Sequence, residues 1–379
     1  MRSLLLVAGS LLALAACRSA DLPLSEATSD APFRLVAYVH GGSPDALAAI
    51  GGDKLTHVFY AFANVTPDGD VVLEDDADAD RLRALVGLKA KNPRLKVLLS
   101  VGGWGWSENF SDAALTGASR ARFARTAVAL VEAHRLDGLD IDWEYPGQRG
   151  EDNVFRDEDR ETFTLLLAET RAQLNALGDG HELAIAAGAG ARYLDHTNLA
   201  EASRSLDFVN LMTYDFFGGG SERTGHHAAL HPSEATPDAM STSTAVDLLV
   251  AAGVPAEKIV VGAAFYGKGW SGVAADGDGL GQPYTGAFFT RGYDDLVRSY
   301  NASDGYVRVW DEAAAAPFLW NASSRTFISY EDPESIARKA AYVRARGLGG
   351  LMYWQHGHDP AERLLDAARA ELTGPATRP

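Results

Sequence analysis

Residues 137–144 read Asp-Gly-Leu-Asp-Ile-Asp-Trp-Glu, placing four acids within a segment that otherwise has the make-up of a buried strand. Side chains in a strand alternate between its faces, so Asp140, Asp142 and Glu144 share one side while Leu139, Ile141 and Trp143 share the other. Carboxylates two residues apart then stand roughly 6.5–7 Å from one another. Neighbouring acids that cannot all ionise raise each other's pKa, which keeps one protonated near neutrality. A fold that accepts this burial places a proton donor, Glu144, at the C-terminal end of the strand.

Two other readings compete with general acid catalysis. A solvated acidic face does not alternate with Leu, Ile and Trp. A hard-cation site, which would draw on several carboxylate oxygens, is the sharper rival.

The run fits the D-x-x-D-x-D-x-E signature and resembles that of the family 18 glycoside hydrolases, the chitinases. Three further motifs in the family's order carry the resemblance: Ser100-Val-Gly-Gly103 resembles S-x-G-G, Met212-Thr-Tyr-Asp215 resembles M-x-Y-D, and Trp354 falls where the family keeps a tryptophan on its last barrel strand. The likeness spans about residues 33–360. Ser100, Gly102 and Gly103 are expected to support the site.

With 379 residues and 46% hydrophobic content the chain can bury a large core. A formal charge of −17 argues against nucleic acid or an anionic membrane as partner, and leaves a neutral substrate compatible. Residues 1–17 carry one Arg, an apolar stretch and small residues, the pattern of a secretory signal. Leu14-Ala-Ala-Cys17 resembles a bacterial lipobox, which makes 1–16 a lipoprotein signal peptide and Cys17 the lipidated residue; an ordinary signal peptide ending in Cys is the alternative. Cys17 is the only cysteine, so no intrachain disulfide is available. Residues 17–31 read as a polar tether. The expectation is a protein secreted across the inner membrane and held by a lipid anchor at the outer membrane or cell surface, touching membrane only through that anchor.

Apolar runs near 34–40, 55–63, 95–101, 137–144, 182–188, 207–214, 258–265 and 348–354 alternate with helical stretches, the pattern of a (β/α)8 TIM barrel over residues 32–373. Ser119 reads as the cap of a helix to His134, residues 160–177 as a long amphipathic helix, and Asp332-Pro333 as the opening of one closed by Gly347. Residues 267–327 are too long for an ordinary βα loop and read as a small α+β insertion between the last two barrel strands.

The resemblance implies hydrolysis of β-1,4-linked N-acetylglucosamine polymers by an endo-acting chitinase, without cofactor or metal. In that route Glu144 protonates the glycosidic oxygen while the substrate's own acetamido carbonyl attacks C1, giving an oxazolinium ion and retained configuration; family 18 departs in this from glycosidases with a second carboxylate nucleophile. Asp142 shares a proton with Asp140 and then steadies the positive intermediate, Tyr214 donates to the acetamido carbonyl, Asp215 holds the distorted sugar, and Trp354 forms its floor. Tyr38 and Ser100, as in relatives, would hydrogen-bond Asp140; on the strand pattern they read equally as barrel core. Asp137 reads as structural.

Trp104, Trp106, Tyr145, Phe216, Tyr266 and Trp270 follow strand ends and are expected to bind substrate, since sugar C–H faces pack on aromatic rings, and Met212 and Tyr38 are expected to join them. His226, His227 and His231 could suggest zinc, but their loop resembles one in chitinases that holds no metal. Gln355 stands where many relatives have Glu, which puts local support of the Trp354 end in question. The alternatives are an endo-β-N-acetylglucosaminidase acting on N-glycan cores and a non-catalytic chitin-binding protein on the same barrel.

Overall fold

The computed structural model describes residues 33–374. In chain order its strands are β1 (Arg34–His40), β2 (His57–Val65), β3 (Val71–Val72), β4 (Lys96–Gly102), β5 (Gly138–Asp142), β6 (Glu182–Gly188), β7 (Phe208–Met212) and β8 (Ile259–Ala264). They continue with β9 (Tyr266–Trp270), β10 (Phe288–Gly292), β11 (Val307–Asp311), β12 (Ala316–Asn321), β13 (Thr326–Ser329) and β14 (Gly350–Trp354). Parallel pairing runs β1-β14-β8-β7-β6-β5-β4-β2, and β2 closes on β1. With helices between the strands, this is a TIM barrel. Its strands lie within about two residues of the eight expected apolar runs, as strands buried on both faces allow. The exception is the third acidic position: the ladder of β5 ends at Asp142, although Trp143 and Glu144 keep the alternation beyond it.

The alternation divides the core in two. Val36, Tyr38, Phe59, Ala61, Leu98, Ala184, Phe208, Val260 and Met352 form one buried cluster, the barrel's filling. Their neighbours Leu35, Val58, Leu99, Leu139 and Ile141 join the larger cluster under the helices.

The helix Gly117–His134 is capped by Thr116, not by Ser119: Thr116 Oγ1 accepts from the Ser119 N–H (3.1 Å) while Ser119 Oγ accepts from the Thr116 N–H (3.0 Å). Ser119 is thus the third residue of a capping box, and the helix starts two residues before it. In Asp159–Leu177 the buried Phe163, Leu166, Leu167, Thr170 and Leu174 repeat at helical spacing. Asp332 caps Pro333–Ala345, its Oδ1 accepting from the Glu334 and Ser335 N–H groups at 3.1 and 3.0 Å.

Between β8 and β14 the chain forms an antiparallel sheet in the order β10-β9-β13-β12-β11, with the helix Tyr293–Ser299 following β10. Trp270, Val273, Phe318, Trp320 and Phe327 make its apolar core. The signal, Cys17 and the 17–31 tether lie outside the described residues.

Candidate active site

A cleft of about 950 Å³ opens at the C-terminal ends of the barrel strands, where this architecture gathers functional side chains. Glu144 follows β5, Tyr214 and Asp215 follow β7, Tyr266 and Lys268 lie on β9, and Trp354 ends β14.

Asp140 anchors the acidic row inside the barrel. Tyr38 Oη donates to its Oδ2 at 2.8 Å and Ser100 Oγ to the same oxygen at 2.7 Å. Asn210 Nδ2 donates to its Oδ1 at 3.4 Å and to Tyr38 Oη at 3.1 Å. The sequence reading missed Asn210, although it lies two and four residues before Met212 and Tyr214 in the alternation of β7. Burial pushes the Asp140 carboxyl up to about 6 against the pull of these donors. Asp142 has fewer compensations. Burial first, then the charges of Glu144 and Asp140, hold it well above the usual carboxylate range, and its buried Oδ1 has no hydrogen-bond partner among the described residues. Half-buried Glu144 is pushed up to about 7, by burial first, with Asp215 adding and a hydrogen bond from Tyr145 opposing. The row therefore holds a proton at Glu144 in mildly acidic to neutral solution.

The turn after β4 sets the position of Glu144. Ser107 Oγ donates to the Gly103 carbonyl at 2.9 Å and accepts from the Glu144 N–H at 2.9 Å, a link that no local pattern announced. Gly103 N–H donates to the Asp142 carbonyl at 2.8 Å. Gly102, at φ +109°, lies so close that a Cβ would stand 2.3 Å from that same carbonyl oxygen, and a Cβ on Gly103 would stand 2.6 Å from the Phe62 ring. Gly102→Ala should therefore cost about 3 kcal/mol or more, combining a disfavoured φ with overpacking against backbone. Urea unfolding measures it; a midpoint equal to that of the unsubstituted protein would contradict the close approach.

Asp215 sits at the cleft mouth with φ +63°, a left-handed turn that Asp tolerates better than most residues. Tyr266 Oη donates to its Oδ1 at 2.5 Å, Lys268 Nζ lies 2.5 Å from the same oxygen, and His227 Nδ1 lies 3.7 Å away. Burial raises this carboxyl, but His227 and Lys268 outweigh it and hold it well below the usual range. Tyr214 is half-buried, and its hydroxyl has a single partner among the described residues, Met352 Sδ at 3.9 Å. Asp137 stands at the opposite end of the strand, where its Oδ2 lies 2.6 Å from Lys89 Nζ and accepts from the Val97 N–H at 2.6 Å.

Residues 34–359 match the family model described as Glycosyl hydrolases family 18. The chain belongs to this family. It is 36% identical to Chitinase A1 of Niallia circulans, with 94% of this chain and 61% of that protein covered, so it spans less than two thirds of that relative. It is 31% identical to Endochitinase 1 of Metarhizium robertsii, over 87% of this chain and 82% of the relative. Among solved structures, a glycoside hydrolase family 18 N-acetylglucosaminidase from Paenibacillus barengoltzii superposes with a TM-score of 0.84 at 40% identity, covering 89% of this chain and 99% of that one.

In this family 18 cleft the expected substrate-binding residues divide. Tyr38, Trp104, Trp106, Tyr145, Met212, Phe216, Tyr266 and Trp354 all line it. Trp354 stacks on Phe62 with centroids 5.5 Å apart and planes 19° apart, while Gln355 Oε1 accepts from the Gly357 N–H at 2.8 Å. The Trp354 end is thus braced by ring stacking. Trp270 is the correction. It is fully buried between Phe288 and Phe327 in the β9–β13 sheet, with Nε1 donating to the Gly218 carbonyl at 3.3 Å, so it presents no face to a sugar. Its neighbour Gly269 leaves room for the Phe289 ring, which a Cβ would meet at 2.2 Å.

The three histidines occupy separate surroundings. His226 Nε2 faces Asp311 Oδ2 at 3.3 Å, His227 faces Asp215, and His231 Nδ1 lies 3.0 Å from Ser243 Oγ.

Proposed function

We propose that this chain is a chitinase that hydrolyses β-1,4-linked N-acetylglucosamine chains by the substrate-assisted, retaining route. Glu144 gives its proton to the glycosidic oxygen as the acetamido carbonyl attacks C1, and then takes a proton from the water that opens the oxazolinium ion. Asp142 accepts the acetamido N–H and places negative charge beside the developing cation. Tyr214 donates to the acetamido oxygen, Asp215 holds the sugar, and Trp354 supports its apolar face.

Asp142 carries this reading. Among the described residues its buried Oδ1 lacks a partner between an anchored Asp140 and a proton-bearing Glu144, and a buried acceptor of this kind calls for a donor. A 2-acetamido group brings that donor and the internal nucleophile together. The test compares chitin tetramer with cellotetraose, which has a hydroxyl in place of the acetamido group. Turnover of the first alone supports the proposal; comparable turnover of both would defeat it. Release of glycans from a glycoprotein with no action on chitin oligomers would favour the N-glycan-core reading instead.

Trp104 is 51% exposed, its ring 6.4 Å from that of Tyr145. A ring so placed gains area only when a sugar covers it. Trp104→Ala should raise KM for long oligomers by about 3- to 10-fold, the worth of one aromatic contact, with kcat nearly constant. An unchanged KM for hexamer would remove Trp104 from the sugar path.

The lipid anchor is proposed from the sequence around Cys17. Palmitate labelling that disappears in Cys17→Ala supports it; labelling that persists would refute it.

A further inference from the structure

His227 faces Asp215 but takes no part in the chemistry above. It is fully buried and neither ring nitrogen has a hydrogen-bond partner among the described residues, while Nδ1 stands 3.7 Å from Asp215 Oδ1. The backbone around it is fixed. Its N–H donates to Ser329 Oγ at 2.9 Å, its carbonyl accepts from the Phe216 N–H at 3.1 Å, and its ring packs against Tyr266 with centroids 5.1 Å apart. Buried polar atoms left without partners are uncommon and ask for a use.

The surrounding charges define its state. Asp215 faces the ring, Lys268 is paired with Asp215, Tyr266 lies alongside, and the buried Lys339 is paired with Glu331 at 2.7 Å. Burial first, with the two lysines adding and Asp215 opposing, lowers the imidazole to about 4. The ring is therefore neutral across the working range, with a single N–H to give. The three groups reaching Asp215 converge on Oδ1, which leaves Oδ2 as the oxygen available to a sugar.

We propose that His227 is a positioning residue that orients Asp215: its Nδ1–H joins Tyr266 and Lys268 on Oδ1 when substrate engages Oδ2, fixing the carboxylate plane. This rests on the reading of Asp215 as the sugar-holding acid. Without that donor the carboxylate is less firmly held and binds a proton more readily, so sugar binding suffers first in acid.

His227→Phe and His227→Asn test it through kcat, KM and the acid limb of kcat/KM on chitin tetramer. Phe fills the space without a donor, whereas the Asn amide can donate from near the Nδ1 position. His227→Phe should lower kcat/KM about tenfold and move the acid limb to higher pH, and His227→Asn should restore both to within about threefold of the original. An unaltered acid limb in a cooperatively folded His227→Phe, or equal impairment of both variants, would overturn the proposal; if His227→Phe does not fold, His227→Leu carries the same expectation. An unsubstituted enzyme inactive on the tetramer would overturn the function reading as well, whereas an active one indifferent to His227→Phe overturns this inference alone.

Discussion

Glu144→Gln should lower kcat for chitin-oligomer hydrolysis by about 10²- to 10⁴-fold while KM changes little, the span usual for loss of a general acid. Gln has the same shape and no proton to transfer. The effect falls on kcat because the proton moves only in the transition state. The pH profile of the unsubstituted enzyme carries the same information. Glu144 is pushed up to about 7, so activity should fall as pH rises through that value and the acid loses its proton. Near-normal turnover in Glu144→Gln, followed by release of shorter oligomers from chitin tetramer, would require another acid.

Asp142→Asn comes next in magnitude, with an expected loss in kcat of about 10²- to 10³-fold. The amide can neither accept the acetamido N–H as an anion nor offset the oxazolinium charge. A further consequence follows from the burial of Asp142. Removing a carboxyl raised well above its ordinary range by burial and by its acidic neighbours relieves a cost to the fold, so the melting temperature should hold or rise while activity is lost. Retained activity with a lowered melting temperature would assign Asp142 to structure.

The barrel was legible in the sequence because a parallel strand covered on both sides is a short apolar run, and eight of these survive as β1, β2, β4–β8 and β14. The acidic row was legible because charge inside such a run has no cheap explanation. The structure places Asp142, Glu144, Tyr214 and Asp215 on the cleft at the C-terminal ends of the strands, with Asp140 behind them inside the barrel. Asn210 was within reach of the same reasoning, being a lone amide on a buried strand in phase with Met212 and Tyr214. Ser107, Lys268 and His227 were not, because each reaches its partner through tertiary closure across 37, 53 and 12 residues respectively. Trp270 misled for a physical reason. Glycine beside an aromatic marks close approach, and at Gly269 the approaching group is a ring of the adjacent sheet strand rather than a sugar.

The most direct test of the central claim is NMR of the anomer released when chitin tetramer is cleaved by the form lacking residues 1–17. Attack by the acetamido carbonyl followed by water on the same face as the leaving group predicts fresh β product, decaying to the α/β equilibrium. Fresh α product would mean a single displacement by a water activated across the ring, and would contradict the roles of Asp142 as partner of the acetamido group and of Glu144 as both acid and base.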